Sequence, residues 1–373
     1  MNPFIYGGVV KGRDFTNRER EIKELETYLM SGRNVLLLSP RKYGKSSLVM
    51  NTLDKMRRKG SLCAYINLSR VTSVHRFLGV YLREVILEAE KNKEKAVLLF
   101  KRMLPRTHAD VEIDLDNLLD PGDKDIKEDR IQQAVQEVMA FPQKMALKKR
   151  KNFIIAFDEF QVIEELDGES LLQSFKCSVE KNNKVSYFFS RINLGDGSEL
   201  GRICDRYHIH KVLRLKKIPR ARLALYLSQR FEQTGYRLEQ GVMDEVLKKA
   251  NDYPYNAQFL CHELWERKNE KKNIRKNDVN LALQDIIKRQ SPFYISLWEN
   301  LTSRQRNTLR AVARLGGEQI YSKEFSRAGG VGSLASLQTS IQLLQKKNIL
   351  NRTNKRYEFE DVFFREWILT EIH

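Results

Sequence analysis

Cysteine is scarce in this chain: Cys63, Cys177, Cys204 and Cys261 are the only four in 373 residues, and no two form a C-x-x-C pair. That spacing excludes a disulfide framework and a cysteine-based zinc site, and reads as the reduced thiols of a cytosolic protein. No apolar run approaches bilayer-spanning length and no secretory h-region opens the chain, so a cytoplasmic protein without membrane contact is expected. Acidic residues are also in deficit: 48 Asp and Glu stand against 66 Lys and Arg, a formal net charge of +18 with pI near 9.6. Two readings fit this excess, an acidic partner such as nucleic acid or a general lysine bias, since the basic residues are spread throughout. The length suffices for two or three domains and a sizeable core.

The stretch Val35-Leu36-Leu37-Leu38-Ser39-Pro40-Arg41-Lys42-Tyr43-Gly44-Lys45-Ser46-Ser47 organises the rest. An apolar run that reads as a buried strand ends in a polar turn, and Gly-Lys-Ser then opens a helix. This is the strand–loop–helix order of a P-loop, with Ser39 where the pattern has its first glycine. Backbone N–H groups around Tyr43, Gly44 and Lys45 can wrap a polyphosphate, helped by the positive end of the following helix. Gly44 lets the backbone approach without a Cβ in the way. Lys45 would bridge β- and γ-phosphate oxygens, and the Ser46 hydroxyl would sit on Mg²⁺. Pro40, Arg41, Lys42 and Ser47 complete the expected cradle for ATP or ADP. Ser39 is small enough for the loop to tolerate, provided its φ is accessible.

Phe153-Ile154-Ile155-Ala156-Phe157-Asp158-Glu159-Phe160-Gln161 is a continuous apolar strand ending abruptly in two carboxylates. In a doubly wound sheet, strand carboxyl ends face the ligand crevice, which would bring Asp158 and Glu159 beside the P-loop. Asp158 would hold Mg²⁺ directly or through its water shell. Glu159 is suited to polarise an attacking water as general base. Val185–Ser190 reads as another strand, with Ser190, Arg191 and Asn193 at its end as candidates to touch a γ-phosphate or the water; a plain turn fits them equally. A second strand is expected over Leu62–Leu68 and a short last one over Tyr207–His210, where His208 and His210 share a face but lack a third ligand. The carboxylates Asp114, Asp116, Asp120, Asp123 and Asp125 do not have EF-hand spacing and read as a polar loop.

Upstream, Asn17 is placed to cap a helix carrying Ile22, Leu25 and Leu29 on one face. From Leu213 the pattern turns helical, and Pro254 opens an apolar helix through Trp265. The last part starts with a helix through Leu309 and Val312, followed by a short strand at Ile320-Tyr321 and a short helix over Lys323–Arg327. A helix with Leu334, Leu337, Ile341 and Leu344 at three- and four-residue spacing comes next, then a hairpin tipped by Arg352, Lys355 and Arg356. This is the order of a winged helix. Gln338, Thr339 and Lys346 on the polar face of its third helix, with the hairpin basics, are the candidate contacts to double-stranded DNA. From Phe293 onward, twelve Lys and Arg stand against eight Asp and Glu, a modest excess for a DNA reader, and a protein-contact winged helix or a homo-oligomer stays open.

Taken together, the chain resembles the archaeal-type ATPases of the STAND branch of AAA+ proteins. The resemblance rests on Asn2-Pro3-Phe4 with Phe15-Thr16-Asn17-Arg18-Glu19, on the P-loop, on Phe157–Gln161, on Pro254-Tyr255 with Cys261–Trp265, and on Lys323-Glu324-Phe325 and Phe363–Trp367. It implies an α/β P-loop NTPase with a parallel sheet, a helical lid and a C-terminal winged helix, divided as 1–212, 213–292 and 293–373. It also implies Mg²⁺-dependent ATP hydrolysis used as a conformational switch, with Asn17 and Arg18 lining the adenine pocket and Pro254 packing near the base. Three positions depart from the family's pattern: Ser39, Ser190-Arg191 in place of Gly-Ser, and Asp252-Tyr253-Pro254 in place of Gly-His-Pro. No repeat array follows the winged helix in this sequence. An arginine finger is not assignable; Arg202 and Arg206 fit that role or plain surface charge. A DNA-binding regulator with an inactive nucleotide site, or an origin-recognition-type or transposition-type DNA ATPase, would share these features.

Overall fold

The computed structural model describes residues 2–90, 95, 98, 128–166, 169–181, 183–192, 197–267, 272–353 and 356–372. The expected acidic loop around Asp114–Asp125, Asn193 and Lys355 lie outside these described residues. The chain divides into two compact units, Val9–Lys216 and Met1–Gly8 with Lys217–His373.

The first unit is built on strands β1 (Asn34–Leu38), β2 (Leu62–Asn67), β3 (Phe153–Asp158), β4 (Val185–Arg191) and β5 (Ile209–Arg214). They form one parallel sheet in the order β2-β3-β4-β1-β5. β1, β3 and β4 are buried along their whole length. Helices cover both faces of such a sheet, which is why these strands are unbroken apolar runs and not alternating ones. Around the sheet lie α1 (Glu19–Met30), α2 (Lys45–Arg58), α3 (Val74–Ala89) and α4 (Glu128–Lys149). The Ser73 hydroxyl caps α3 by accepting from the Arg76 N–H, while α4 runs as one element through Pro142.

One sheet face carries an aromatic cluster. The Phe157 ring lies 5.9 Å from Phe189 and 5.3 Å from Phe175, and Phe160 stands edge-on to Tyr207 at 4.9 Å. Each such ring removes a large apolar area from water, worth roughly 1.5–3 kcal/mol on full burial. Phe175 comes from α6 (Glu169–Lys181), and Tyr207 directly follows α7 (Gly197–Arg206); both helices come after the short α5 (Gln161–Glu165). β5 begins two residues later than expected and extends to Arg214. It is an edge strand with exposed His210 and Arg214, so no apolar run marks it.

The second unit gathers helices Arg220–Gln233, Val242–Lys249, Pro254–Glu266 and Lys276–Glu299. Helices Ser303–Leu315, Lys323–Gly329 and Leu334–Lys346 follow, then an antiparallel hairpin (Leu350–Thr353 with Arg356–Phe359) and a last helix, Val362–Glu371. This is the winged-helix order. The arm residue Phe4 packs here, its ring 4.5 Å from Phe231. Helix Lys276–Glu299 runs unbroken through Pro292, across the expected boundary between lid and winged helix. The strand expected at Ile320-Tyr321 is a turn. Ile320 is buried, and Tyr321 is held through its hydroxyl, 3.2 Å from that of Tyr357. Among the described residues, no helix is long and apolar enough to cross a membrane.

Gly317 touches the wing directly: its carbonyl accepts the Tyr357 N–H at 2.9 Å, and an added Cβ would lie 1.6 Å from the Tyr357 oxygen. Gly317→Ala is therefore expected to cost about 3 kcal/mol or more through backbone overlap. Gly332→Ala, at φ +77 with open space around it, should cost only about 1–2 kcal/mol of left-handed strain. Urea unfolding of both variants checks this; equal losses would contradict it.

Candidate functional site

β1 delivers the chain at Leu38 into the loop. Ser39 is fully buried, its N–H donates to the Arg191 carbonyl at 3.2 Å, and its hydroxyl donates to the Pro40 carbonyl at 2.8 Å. The left-handed positions of the loop are Lys42 (φ 63) and Gly44 (φ 86), not Ser39. That is why serine replaces the first glycine without strain. Gly44 is the N-cap of α2 and has no side chain to occupy the N–H groups of the first helical turn, which stay available to an anion. A Cβ at Gly44 would meet nothing within 4 Å, so the glycine answers a conformational need.

Arg18 braces this loop from behind. It is only 3% exposed, donates to the Tyr43 carbonyl at 3.3 Å, and pairs with Glu21 at 2.8 Å. Burial lowers its pKa, and Glu21 partly opposes that. The N-terminal arm is tied to α2 as well. The Val10 N–H donates to Ser47 Oγ, the Gly12 N–H to Asn51 Oδ1, and Asn51 Nδ2 to the Val10 carbonyl. Ser47 thus holds the arm. Asn17 does not cap α1: it sits at φ 62, Arg18 takes the N-cap position, and no side chain caps that end.

The sheet places Asp158 and Ser190 at neighbouring strand ends, with Asn67 opposite Asp158 and Leu37 opposite Ser190. Asp158 is 2% exposed and its carboxylate is surrounded by donors. Ser46 Oγ and Tyr65 Oη donate to Oδ2 at 2.5 and 2.9 Å, and Ser190 Oγ and the Glu159 N–H donate to Oδ1 at 2.5 and 3.1 Å. The Lys45 ammonium lies 3.4 Å from Asp158 Oδ1 and 2.5 Å from Glu159 Oε1. Burial pushes the Asp158 carboxyl up, but Lys45 and the hydroxyls of Ser190, Ser46 and Tyr65 outweigh it and hold the group below its ordinary value. The Tyr65 phenol is raised, by burial first and then by Asp158, and stays a proton donor.

This donor set fits a Mg²⁺-nucleotide: a hydroxyl and a carboxylate supply hard oxygen ligands, beside an ammonium and an open helix N-terminus. Ser46, Asp158, Lys45 and Glu159 converge as the sequence suggests. Ser190 joins them through Asp158. Arg191 instead forms ion pairs with Glu164 at 2.7 Å and Glu199 at 3.0 Å. Arg41, Arg202 and Arg206 are exposed. His208 meets Glu180 and His210 accepts from the Asn34 N–H, so the two histidines serve different contacts. Among the described residues, no three His, Cys, Asp or Glu side chains gather as a metal cluster. Sequence reasoning missed Tyr65, whose only signal was a polar ring inside an apolar strand.

In the other unit, Pro254 opens its helix as expected. The preceding Tyr253 is buried, its hydroxyl donating to Glu358 on the wing at 3.0 Å and its ring under the Lys217 ammonium at 4.6 Å. On the winged helix, Gln338, Thr339 and Lys346 are exposed. Arg352 lies over the Tyr357 ring, and Arg356 is 3.7 Å from Glu318.

A depressed carboxyl contributes stability above its unfolded value, 3.8 for Asp158, and loses it as pH falls through the lower folded value. Acid unfolding followed by circular dichroism should therefore begin at higher pH in Tyr65→Phe, which removes one of the donors. The same variant should lose about 1 kcal/mol at neutral pH; an unchanged acid limb would contradict the assignment.

A family model described as an ATPase domain predominantly from Archaea matches residues 15–235, and one described as a probable winged helix domain matches 292–370. No curated protein matches the chain. Among solved structures, the Walker-type ATPase PABY2304 of Pyrococcus abyssi is similar at TM-score 0.62 and 15% identity, over 99% of this chain and 100% of that one. The Aeropyrum pernix ORC2 protein, solved as ADPNP-ADP complexes, is similar at 0.58 and 14%, over 96% and 95%. The Aeropyrum pernix ORC1 protein in complex with DNA is similar at 0.54 and 15%, over 98% and 94%. At these identities the likeness is one of fold.

Proposed function

The chain belongs to the family of ATPase domains found predominantly in Archaea, and from that premise we propose that it binds ATP with Mg²⁺ and hydrolyses it slowly. In this reading it is a STAND-type switch whose nucleotide state is read out through the winged helix. The observation that carries the proposal is the convergence of Lys45 and Ser46 from α2 on the Asp158-Glu159 pair at the end of β3. Ser46 and Asp158 would hold the metal, and Lys45 the phosphates. The bound Mg²⁺ would neutralise charge that develops on the phosphate oxygens. The first-turn N–H groups of α2 would orient the phosphate chain. Glu159 would accept the proton of the attacking water at its carboxylate.

The winged helix is proposed to bind double-stranded DNA through Gln338, Thr339, Lys346, Arg352, Lys355 and Arg356, supported by the net charge of +18 and by the fold shared with a DNA-bound ORC1 protein. A protein contact is favoured by a different observation. The outer face of helix Leu334–Lys346 exposes Leu334 and Leu343 at 46% and 42%, with Lys346 as its only charge.

ATP turnover with Mg²⁺ tests both parts. Lys45→Ala should lower turnover by about a hundredfold or more, with its fold unchanged by circular dichroism. Acceleration by duplex DNA, lost in the paired variant Arg352→Ala/Arg356→Ala, supports the DNA reading; indifference to DNA favours the protein contact. Turnover that survives Lys45→Ala would overturn the site.

A further inference from the structure

We propose that Gln161 is a positioning residue that holds the Glu159 carboxylate in the orientation needed to receive a proton. The inference deepens the reading of Glu159 as general base and rests on it.

β3 ends at Asp158, and Glu159 follows at φ 57, a left-handed conformation that a non-glycine residue adopts only at a cost. The turn is closed by the Phe160 N–H on the Ser190 carbonyl and the Val162 N–H on the Glu159 carbonyl. It brings the first residue of α5 back beside Glu159. Gln161 Nε2 donates to Glu159 Oε2 at 2.6 Å, while Lys45 holds Oε1. A carboxylate only accepts, so it dictates that the amide presents its NH₂ group. The Gln161 carbonyl oxygen is then left buried without a partner. A buried acceptor left unpaired is costly, and a side chain with no task at Glu159 would avoid it by turning to solvent. Lys45 has a competing task, since phosphate oxygens draw its ammonium. Gln161 has none, and remains to fix the carboxylate once Lys45 is engaged.

Steady-state ATP turnover by the full chain, with unfolding temperature as a control, tests this. Gln161→Ala should lower kcat about tenfold or more with KM for ATP unchanged. Gln161→Glu, nearly the same shape but without a donor, should do the same. The pair Glu159→Gln/Gln161→Ala should be no slower than Glu159→Gln alone, because Gln161 acts only through Glu159. Parent-like kcat in Gln161→Ala, or a loss that multiplies onto Glu159→Gln, overturns the inference while leaving Glu159 as base. Parent-like turnover in Glu159→Gln would overturn that reading and this inference together.

Discussion

A carboxylate buried at the end of a central strand is the constraint on which the ATPase unit depends. An ionised Asp158 withdrawn from water would be strongly unfavourable alone. It is tolerated because Lys45, Ser46, Tyr65 and Ser190 all reach it. These come from the start of α2 and from β2 and β4, on either side of β3. Strand order, loop length and helix start are therefore not independent features. Moving α2 by one residue would remove an ammonium and a hydroxyl from the same carboxyl group at once.

The same site concentrates backbone strain. Lys42, Gly44 and Glu159 all sit at positive φ, and such conformations persist only where the surroundings over-determine them. The surroundings here are identifiable. Arg18 grips the loop at the Tyr43 carbonyl, Ser47 and Asn51 bind the arm to α2, and the turn after β3 is closed on β4. An N-terminal segment with little core of its own thus becomes part of the support for the loop.

Within the second unit, the helices after Lys217 and the winged helix share one interior. Phe259 meets Phe363 edge-on at 5.6 Å, Tyr294 lies 5.9 Å from Trp367, and Trp367 Nε1 donates to Ser291 Oγ at 3.1 Å. The Tyr253–Glu358 hydrogen bond and the Lys249–Glu366 pair add polar ties between the same parts. Helix Lys276–Glu299 belongs to both. Close-packed interiors resist continuous deformation, so the helix opened by Pro254 and the winged helix stand as one packed body within this unit.

The sequence by itself determined the parts whose signal is local. Buried parallel strands must be apolar throughout, so β1, β3 and β4 were legible as runs; a P-loop needs its residues consecutive, so Gly44-Lys45-Ser46 was legible as a motif. The order of helices and hairpin was likewise enough to indicate a winged helix. Tertiary structure decided what depends on residues distant in the chain. The edge strand β5 lacks an apolar run because one side of it meets solvent, and α6 became evident only once Phe175 had a cluster to join. Tyr65 and Ser190 acquire their place from Asp158, which lies 93 and 32 residues from them along the chain. A hydrogen-bond partner across a sheet leaves no periodicity and no spacing in the sequence; strand order alone creates it.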